Sequence, residues 1–258
     1  MSFDLLAPHY RWMEWLLAGP KLQRCRTAFI DEILEPKRVL LLGEGNGRCL
    51  AELAAKFPAA EFVCVDASQR MLDRARERLR QHGLGTTKVA LIHADILEWQ
   101  PRGEFDLIVT NFFLDCFRPE QINLIVSRIA ANASPGVRWL LADFCEPESG
   151  FAKWRARAIL TSMYLFFRVA TGLPATKLTP PDEVLERCGF TLSSRRTFEW
   201  GLLHSDVWVA TEQAKRHKST LAGAGAVGHS LPARNEWGER RREGKAFGIT
   251  SSPRPSPP

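Results

Sequence analysis

The sequence predicts an α/β domain: a mostly parallel sheet with helices on both faces and a hairpin toward one edge. Three observations carry this. Short apolar runs alternate with helix-length amphipathic stretches through the first 145 residues, the pattern of βαβ units. The first apolar run ends in three glycines at alternate positions, Gly43, Gly45 and Gly47. Two β-type runs near residues 190–211 follow one another across a short turn. At 258 residues and 45% hydrophobic, the chain is long enough to bury a large core.

Pro8–Ala18 and Leu22–Leu34 read as two helices, divided by Gly19-Pro20. Val39–Leu42 is the first strand and Arg48–Phe57 the helix after it. Glu61–Val65 is the second strand, ending at Asp66. Ser68–His82 is a helix with Ser68 as N-cap and Gly83 just past its end. Val89–His93 and Phe105–Thr110 are the third and fourth strands. Pro119–Asn132 is a helix, and Arg138–Asp143 a fifth strand after a Pro135-Gly136 turn. Phe151–Thr171 is a long, mostly apolar helix ending near Gly172 and Pro174. Pro181–Cys188 is a short helix closed by Gly189, and Phe190–Phe198 with Leu203–Thr211 form the hairpin.

The charge is unevenly placed. Of the net +6, all resides in residues 213–258, which carry nine Lys/Arg against three Asp/Glu. Residues 1–212 balance at 26 of each sign, so the body offers no basic footprint for nucleic acid. The segment 213–258 is rich in Pro, Gly, Ser and Arg, a composition that cannot offset ordering entropy and predicts a disordered tail. The six cysteines (Cys25, Cys49, Cys64, Cys116, Cys145 and Cys188) form no CxxC pair and no zinc spacing with histidine. They are expected to be reduced core residues of a cytoplasmic protein, with no metal site. The N-terminus lacks the basic and apolar regions of a secretory signal, and no apolar run is long enough to span a bilayer.

Four motifs carry chemistry. In Val39-Leu40-Leu41-Leu42-Gly43-Glu44-Gly45-Asn46-Gly47 a strand runs through glycines into a helix, so backbone amides can approach a ligand closely. A dinucleotide fingerprint needs its third glycine at position 48, which is Arg48. The spacing found suits S-adenosylmethionine (SAM), although a plain tight turn is the simpler account. Asp66, closing the second strand, stands where a carboxylate accepts from both ribose hydroxyls; the competing reading is a helix-capping Asp. Asp95 after the third strand suits an adenine amino group with Ile96 packing on the ring, against an ordinary loop acid. Asn111-Phe112-Phe113-Leu114-Asp115 is expected to line the mouth between cofactor and acceptor, with one phenylalanine packed under the following helix.

Residues 1–212 resemble a class I SAM-dependent methyltransferase, nearest to the ubiquinone/menaquinone-biosynthesis C-methyltransferase type. The likeness rests on Phe3-Asp4…Ala7-Pro8-His9-Tyr10, the glycine turn, Asp66-Ala67-Ser68…Met71-Leu72, Ala94-Asp95 and Ala133-Ser134-Pro135-Gly136. The resemblance implies a Rossmann-like, seven-stranded, mostly parallel sheet of order 3-2-1-4-5-7-6, with an antiparallel last strand. It divides the chain into cap helices at 1–35, a methyltransferase domain at 36–212 and the tail. It implies that Gly43, Glu44, Gly45 and Gly47 hold the methionine end of SAM, Asp66 the ribose, and Asp95 with Ile96 the adenine. Tyr10 would fold over the cofactor, with Ala67, Met71, Asn111 and Phe112 beside it. One departure stands out: Leu41 occupies a position where many members carry an acid, and Glu44 or the backbone would replace it.

Methyl transfer from a sulfonium needs alignment more than a fixed base. His9, Asp115, Asp143 and His204 are the candidate proton acceptors, each with a structural role as the simpler account. In Phe151–Thr171, a step of about 100° puts Lys153, Arg157 and Arg168 on one face with Tyr164 among them. That stripe is a solvated face of a cover helix, or it meets a carboxylate, a phosphate or a membrane surface beside a lipophilic acceptor pocket. The expected function is methyl transfer to a small lipophilic or aromatic acceptor, with peripheral membrane contact and no nucleic acid. The alternatives are an O- or N-methyltransferase of another small metabolite and a non-catalytic SAM-binding regulator. Oligomeric state leaves no sequence signal.

Overall fold

The computed structural model describes residues 19–171 and 178–211. The cap helix at 8–18, Tyr10, His9, the Gly172–Pro174 helix end and the basic tail lie outside the described residues.

The elements run α1 (Gly19–Thr27), β1 (Arg38–Leu42), α2 (Arg48–Lys56), β2 (Glu61–Asp66), α3 (Gln69–Gln81), β3 (Val89–His93) and β4 (Phe105–Asn111). Then follow α4 (Pro119–Ala130), β5 (Ala133–Phe144), α5 (Gly150–Thr171), α6 (Asp182–Arg187), β6 (Phe190–Phe198) and β7 (Leu203–Ala210). The seven strands form one sheet in the order β3-β2-β1-β4-β5-β7-β6. β1 to β5 pair in parallel, and β7 runs antiparallel to both β5 and β6. The order and the reversed last strand are those the resemblance implies.

Alternation along β1 explains the layers. Val39 and Leu41 face a cluster with Leu50, Leu53, Leu72 and Ala75 of α2 and α3. Leu40 and Leu42 face the opposite cluster with Ile122, Ile125 and Ile129 of α4 and Leu185 of α6. A strand buried on both faces reads as a continuous apolar run, which is why β1 is legible. A third cluster joins α1 and α5 to the carboxyl end of β5 through Leu22, Cys25, Phe144, Leu160, Met163 and Tyr164. The six cysteines are free.

Two boundaries differ from expectation. β5 begins at Ala133, so Pro135-Gly136 is not a turn before the strand but an irregularity within it. The register with β4 shifts between Phe105↔Ala133 and Leu107↔Arg138, and Gly136 supplies the positive φ of 74° that the bulge requires. The helix expected over 22–34 is α1 plus a single 3-10 turn at Ile30–Glu32. Gly19-Pro20 stands in the first turn of α1, where a proline lacking N–H is tolerated.

A charge network centred on the buried Asp206 ties β6 to β7 and to α6. Arg195 donates from Nε to Asp206 Oδ1 at 2.8 Å and from Nη2 to Asp206 Oδ2 at 2.6 Å. The same Nη2 reaches Asp182 of α6 at 2.7 Å. Trp208 Nε1 donates to Asp206 Oδ2 at 3.3 Å, and His204 Nδ1 lies 3.0 Å from Oδ1.

Candidate cofactor site

The carboxyl ends of the parallel neighbours β2, β1 and β4 lie along one edge of the sheet, where open α/β sheets take ligands. The glycine turn leaves β1 with positive φ at Gly43, Gly45 and Gly47. Its glycines have different causes. A Cβ on Gly47 would lie 2.7 Å from the Cα of Ala75 in α3, so this glycine permits helix packing. A Cβ on Gly45 would meet nothing within 4 Å. Gly45 is thus the place in the turn where a ligand can approach the backbone.

Asp66 ties this turn to β2. Its Oδ2 accepts from the Gly45 N–H at 3.0 Å and its Oδ1 from the Ser68 N–H at 2.8 Å. Ser68, not Asp66, caps α3, accepting from the Met71 N–H at 3.3 Å. Ala67 is half-buried and Met71 buried at the start of α3. A carboxylate at this position is an acceptor of the kind that ribose hydroxyls use.

Glu44 turns back to α2. Its Oε1 accepts from the Cys49 N–H at 2.7 Å and the Leu50 N–H at 3.1 Å. The N-cap of α2 is Gly47, which has no side chain, so Glu44 satisfies donors otherwise left orphaned. Desolvation pushes the Glu44 carboxyl up to about 7, against the pull of the Leu50 N–H and the Arg26 guanidinium. A folded pKa raised from 4.5 means stability that is full below the unfolded value and lost as pH rises toward 7. Glu44→Gln is therefore expected to flatten the fall in stability between about pH 5 and pH 7.5, by up to about 3 kcal/mol. Chemical denaturation across that range checks it, and an unchanged slope would count against the assignment.

Arg26, which the sequence reading missed, reaches this corner from α1. It is 8% exposed, and its guanidinium lies 5.2 Å from the centroid of the Phe112 ring. It is also a favourable charge for Glu44. Nothing in the spacing of Arg24 and Arg26 marks one as buried; only the docking of α1 does.

Asn111 closes β4 in the buried edge, with its Nδ2 lacking a hydrogen-bond partner among the described residues. Phe112 follows with φ 52°, donating its N–H to Ala142 O at 2.7 Å. Its ring packs 5.1 Å from that of Phe144. The Phe113 ring stands against Gly43 and edge-on to Phe117 at 5.0 Å. Both phenylalanines thus pack into the fold, where only one was expected to. Asp95 is exposed, accepting from the Leu97 N–H at 2.9 Å, while Ile96 is buried in the cluster with Leu42 and Val65. The Ile96 side chain serves the core beneath the position where an adenine was expected.

The proton-acceptor candidates separate. Asp115 and Asp143 are both buried, at the ends of β4 and β5. Desolvation raises Asp115 to about 6. Desolvation and then the neighbouring Asp115 charge push Asp143 well above the usual carboxylate range. Both carboxyls are thus held more basic than ordinary carboxylates. Tyr164 donates its hydroxyl to the Asp115 carbonyl at 3.3 Å. His204 belongs instead to the Asp206 network. Among the described residues no His, Cys, Asp and Glu cluster has the arrangement to hold a metal.

Comparison with known proteins agrees with this geometry. Residues 39–136 match the family model described as "Methyltransferase domain". A carboxy-S-adenosyl-L-methionine synthase of Pectobacterium atrosepticum is 27% identical over 155 residues, covering 58% of this chain and 60% of the relative. A trans-aconitate 2-methyltransferase of Methylobacterium radiotolerans is 35% identical over 101 residues, 39% of this chain and 35% of the relative. The chain thus spans less than two thirds of the length of these relatives. The solved mitomycin 7-O-methyltransferase MmcR has the same fold at TM-score 0.59 and 16% identity, over 82% of this chain and 61% of its own. So does the N-methyltransferase NodS of Bradyrhizobium japonicum in complex with S-adenosyl-L-homocysteine, at TM-score 0.53 and 14% identity, over 75% and 85%.

Proposed function

We propose that the chain, whose residues 39–136 match the methyltransferase-domain family model, is a class I SAM-dependent methyltransferase that transfers a methyl group from SAM to a small lipophilic or aromatic acceptor, in the manner of quinone-precursor C-methyltransferases. The observation that carries the reading is Asp66, holding the open Gly45 turn at the edge where β1, β2 and β4 end.

The bound cofactor supplies an electrophilic methyl on a sulfonium. This chain's residues supply the hold. Asp66 accepts from the ribose, and the exposed Asp95 from the adenine amino group. Arg26 offers a positive charge to the carboxylate of the methionine end, and Glu44, with its carboxyl raised to about 7, offers an acceptor to the ammonium in place of the missing acid at Leu41. The unpartnered Asn111 Nδ2 is a donor in the same wall. Alignment and exclusion of water then supply much of the rate. Where the acceptor loses a proton, the Asp115–Asp143 pair is the nearest group of suitable basicity.

The test is calorimetric titration of the full chain with SAM and with S-adenosylhomocysteine, beside Asp66→Ala. Micromolar binding that Asp66→Ala weakens by ~1–3 kcal/mol is expected, the order for stranding hydrogen-bond partners. Binding of neither ligand would overturn the reading. Turnover follows by mass spectrometry with lipophilic phenols and quinols, the acceptor mass rising by one methyl.

A second reading is conversion of the cofactor itself. It is favoured by a carboxy-S-adenosyl-L-methionine synthase of a Shewanella species that matches 70% of this chain at 24% identity. A nucleoside product heavier than SAM, with no methylated acceptor, would decide for it. The methionine-end charges serve either chemistry.

A further inference from the structure

We infer that the outer face of α5, with the adjoining β6–β7 turn, rests on an anionic lipid surface. The patch is built from named side chains. Phe151 is 68% exposed, Trp154 70% and Leu165 63%, spaced at helical intervals along one stripe. Ala158, Thr161 and Arg168 lie on the same stripe and are also exposed. The Phe151 and Trp154 rings stack on each other, 6.4 Å apart, in the absence of any covering element among the described residues. Trp200 adds a third ring, 73% exposed, from the turn between β6 and β7. Glu199 and Trp200 hold φ of 51° and 60°, left-handed values that are costly for such residues. The strain is sustained while the indole faces water.

The turn and the helix form one surface. Cys145, just past β5, donates its N–H to Leu202 O at 2.8 Å. The Arg155 guanidinium of α5 sits 5.7 Å from the Trp200 ring centroid. This surface lies at the carboxyl end of β5, the same end of the sheet as the glycine turn.

Charge selects the occupant. α5 spans 22 residues, about 33 Å, and carries Lys153, Arg155, Arg157 and Arg168 with no acidic residue. Glu146, before the helix, neutralises part of this through Lys153 and Arg157. The remainder is a local cationic excess in a body whose charges sum to zero over residues 1–212. A second copy docked about a two-fold axis would set this cationic helix against itself. An anionic lipid surface instead takes the cations at its headgroups and the exposed Trp and Phe rings at the acyl boundary. No described helix is long and apolar enough to cross a membrane, so α5 lies on the surface. The inference stands independently of the reaction, and it would bring a lipophilic acceptor to the cofactor end of the sheet.

The full chain is sedimented with vesicles of phosphatidylcholine alone and with roughly one quarter phosphatidylglycerol. Binding to the anionic vesicles only, reduced about tenfold or more by Phe151→Ser with Trp154→Ser and likewise by Arg157→Glu with Arg168→Glu, is the expected result. The substituted side chains are exposed, so unfolding is not expected; circular dichroism checks this. Trp200→Ser provides an independent variant outside the helix and should also weaken binding. Binding that survives the aromatic changes would assign it to the basic tail and overturn the proposal. Binding to neither vesicle, or a dimer in light scattering that dissolves on the aromatic changes, would overturn it as well.

Discussion

Asp206→Ala is expected to lower stability by about 1.5–3 kcal/mol, the order for losing hydrogen bonds to a charged group. Asp206 is fully buried, and Arg195 holds both its carboxylate oxygens. Alanine would leave the Arg195 guanidinium with Asp182 alone and strip the Trp208 indole of its acceptor. The loss should be larger than for the exposed pairs of α3, such as Arg76–Asp73, which contribute little. Burial alone would raise the Asp206 pKa, but the bonds from Arg195 and the nearby His204 outweigh it and hold the value below 3.8. A depressed carboxylate gives stability that is present above its unfolded value and lost as pH falls through its folded one. The penalty of Asp206→Ala should therefore be full at neutral pH and shrink in acid below 3.8. Urea unfolding at neutral and acid pH measures both effects. A loss under about 1 kcal/mol at neutral pH would show that the network contributes geometry and not stability.

The same distinction between pattern and partner explains what the sequence disclosed. The strands β1, β2 and β4 were legible because two-sided burial makes their apolar runs continuous. The start of α3 was legible because Ser68 caps it through its own side chain. The strand order was carried by the resemblance, since local periodicity contains no information about which strands neighbour. Arg26 was hidden because burial of a charge depends on α1 packing beside Phe112, a contact between residues far apart in the chain. Glu44 was placed at the turn but its bonds into α2 were not, since a glycine N-cap does not announce what replaces it. On α5 the helical step grouped Tyr164 with Lys153, Arg157 and Arg168. Tyr164 is 6% exposed, drawn inward by its bond to the Asp115 carbonyl. The helical step sets it between Lys153 and Arg157, so periodicity alone does not disclose that its ring turns inward. Phe151 and Trp154 belong to the apolar part of that helix, yet they face outward.

Gly45→Ala and Gly47→Ala are expected to fail in opposite ways, and the contrast tests the site without assuming a reaction. Gly47→Ala places a Cβ 2.7 Å from the backbone of Ala75 at a φ of 77°. Both the left-handed strain and the overpacking act, and together they should remove about 2–4 kcal/mol of stability. The clash involves helix backbone, so α3 must move, and α3 begins at the Ser68 that Asp66 holds. Cofactor affinity should fall along with stability. Gly45→Ala shares the strain, at a φ of 67°, but its Cβ meets nothing within 4 Å. Its stability should fall by only about 1 kcal/mol, because Asp66 can still hold the turn through the Gly45 N–H. Its affinity for SAM should fall about tenfold or more, since the added methyl occupies the approach that only a glycine leaves open. Denaturation and calorimetric titration on the same preparations separate the two. If Gly45→Ala binds SAM as tightly as the parent chain, the open side of the turn is not where the cofactor lies. Asp66 would then be a structural clasp between β1 and β2.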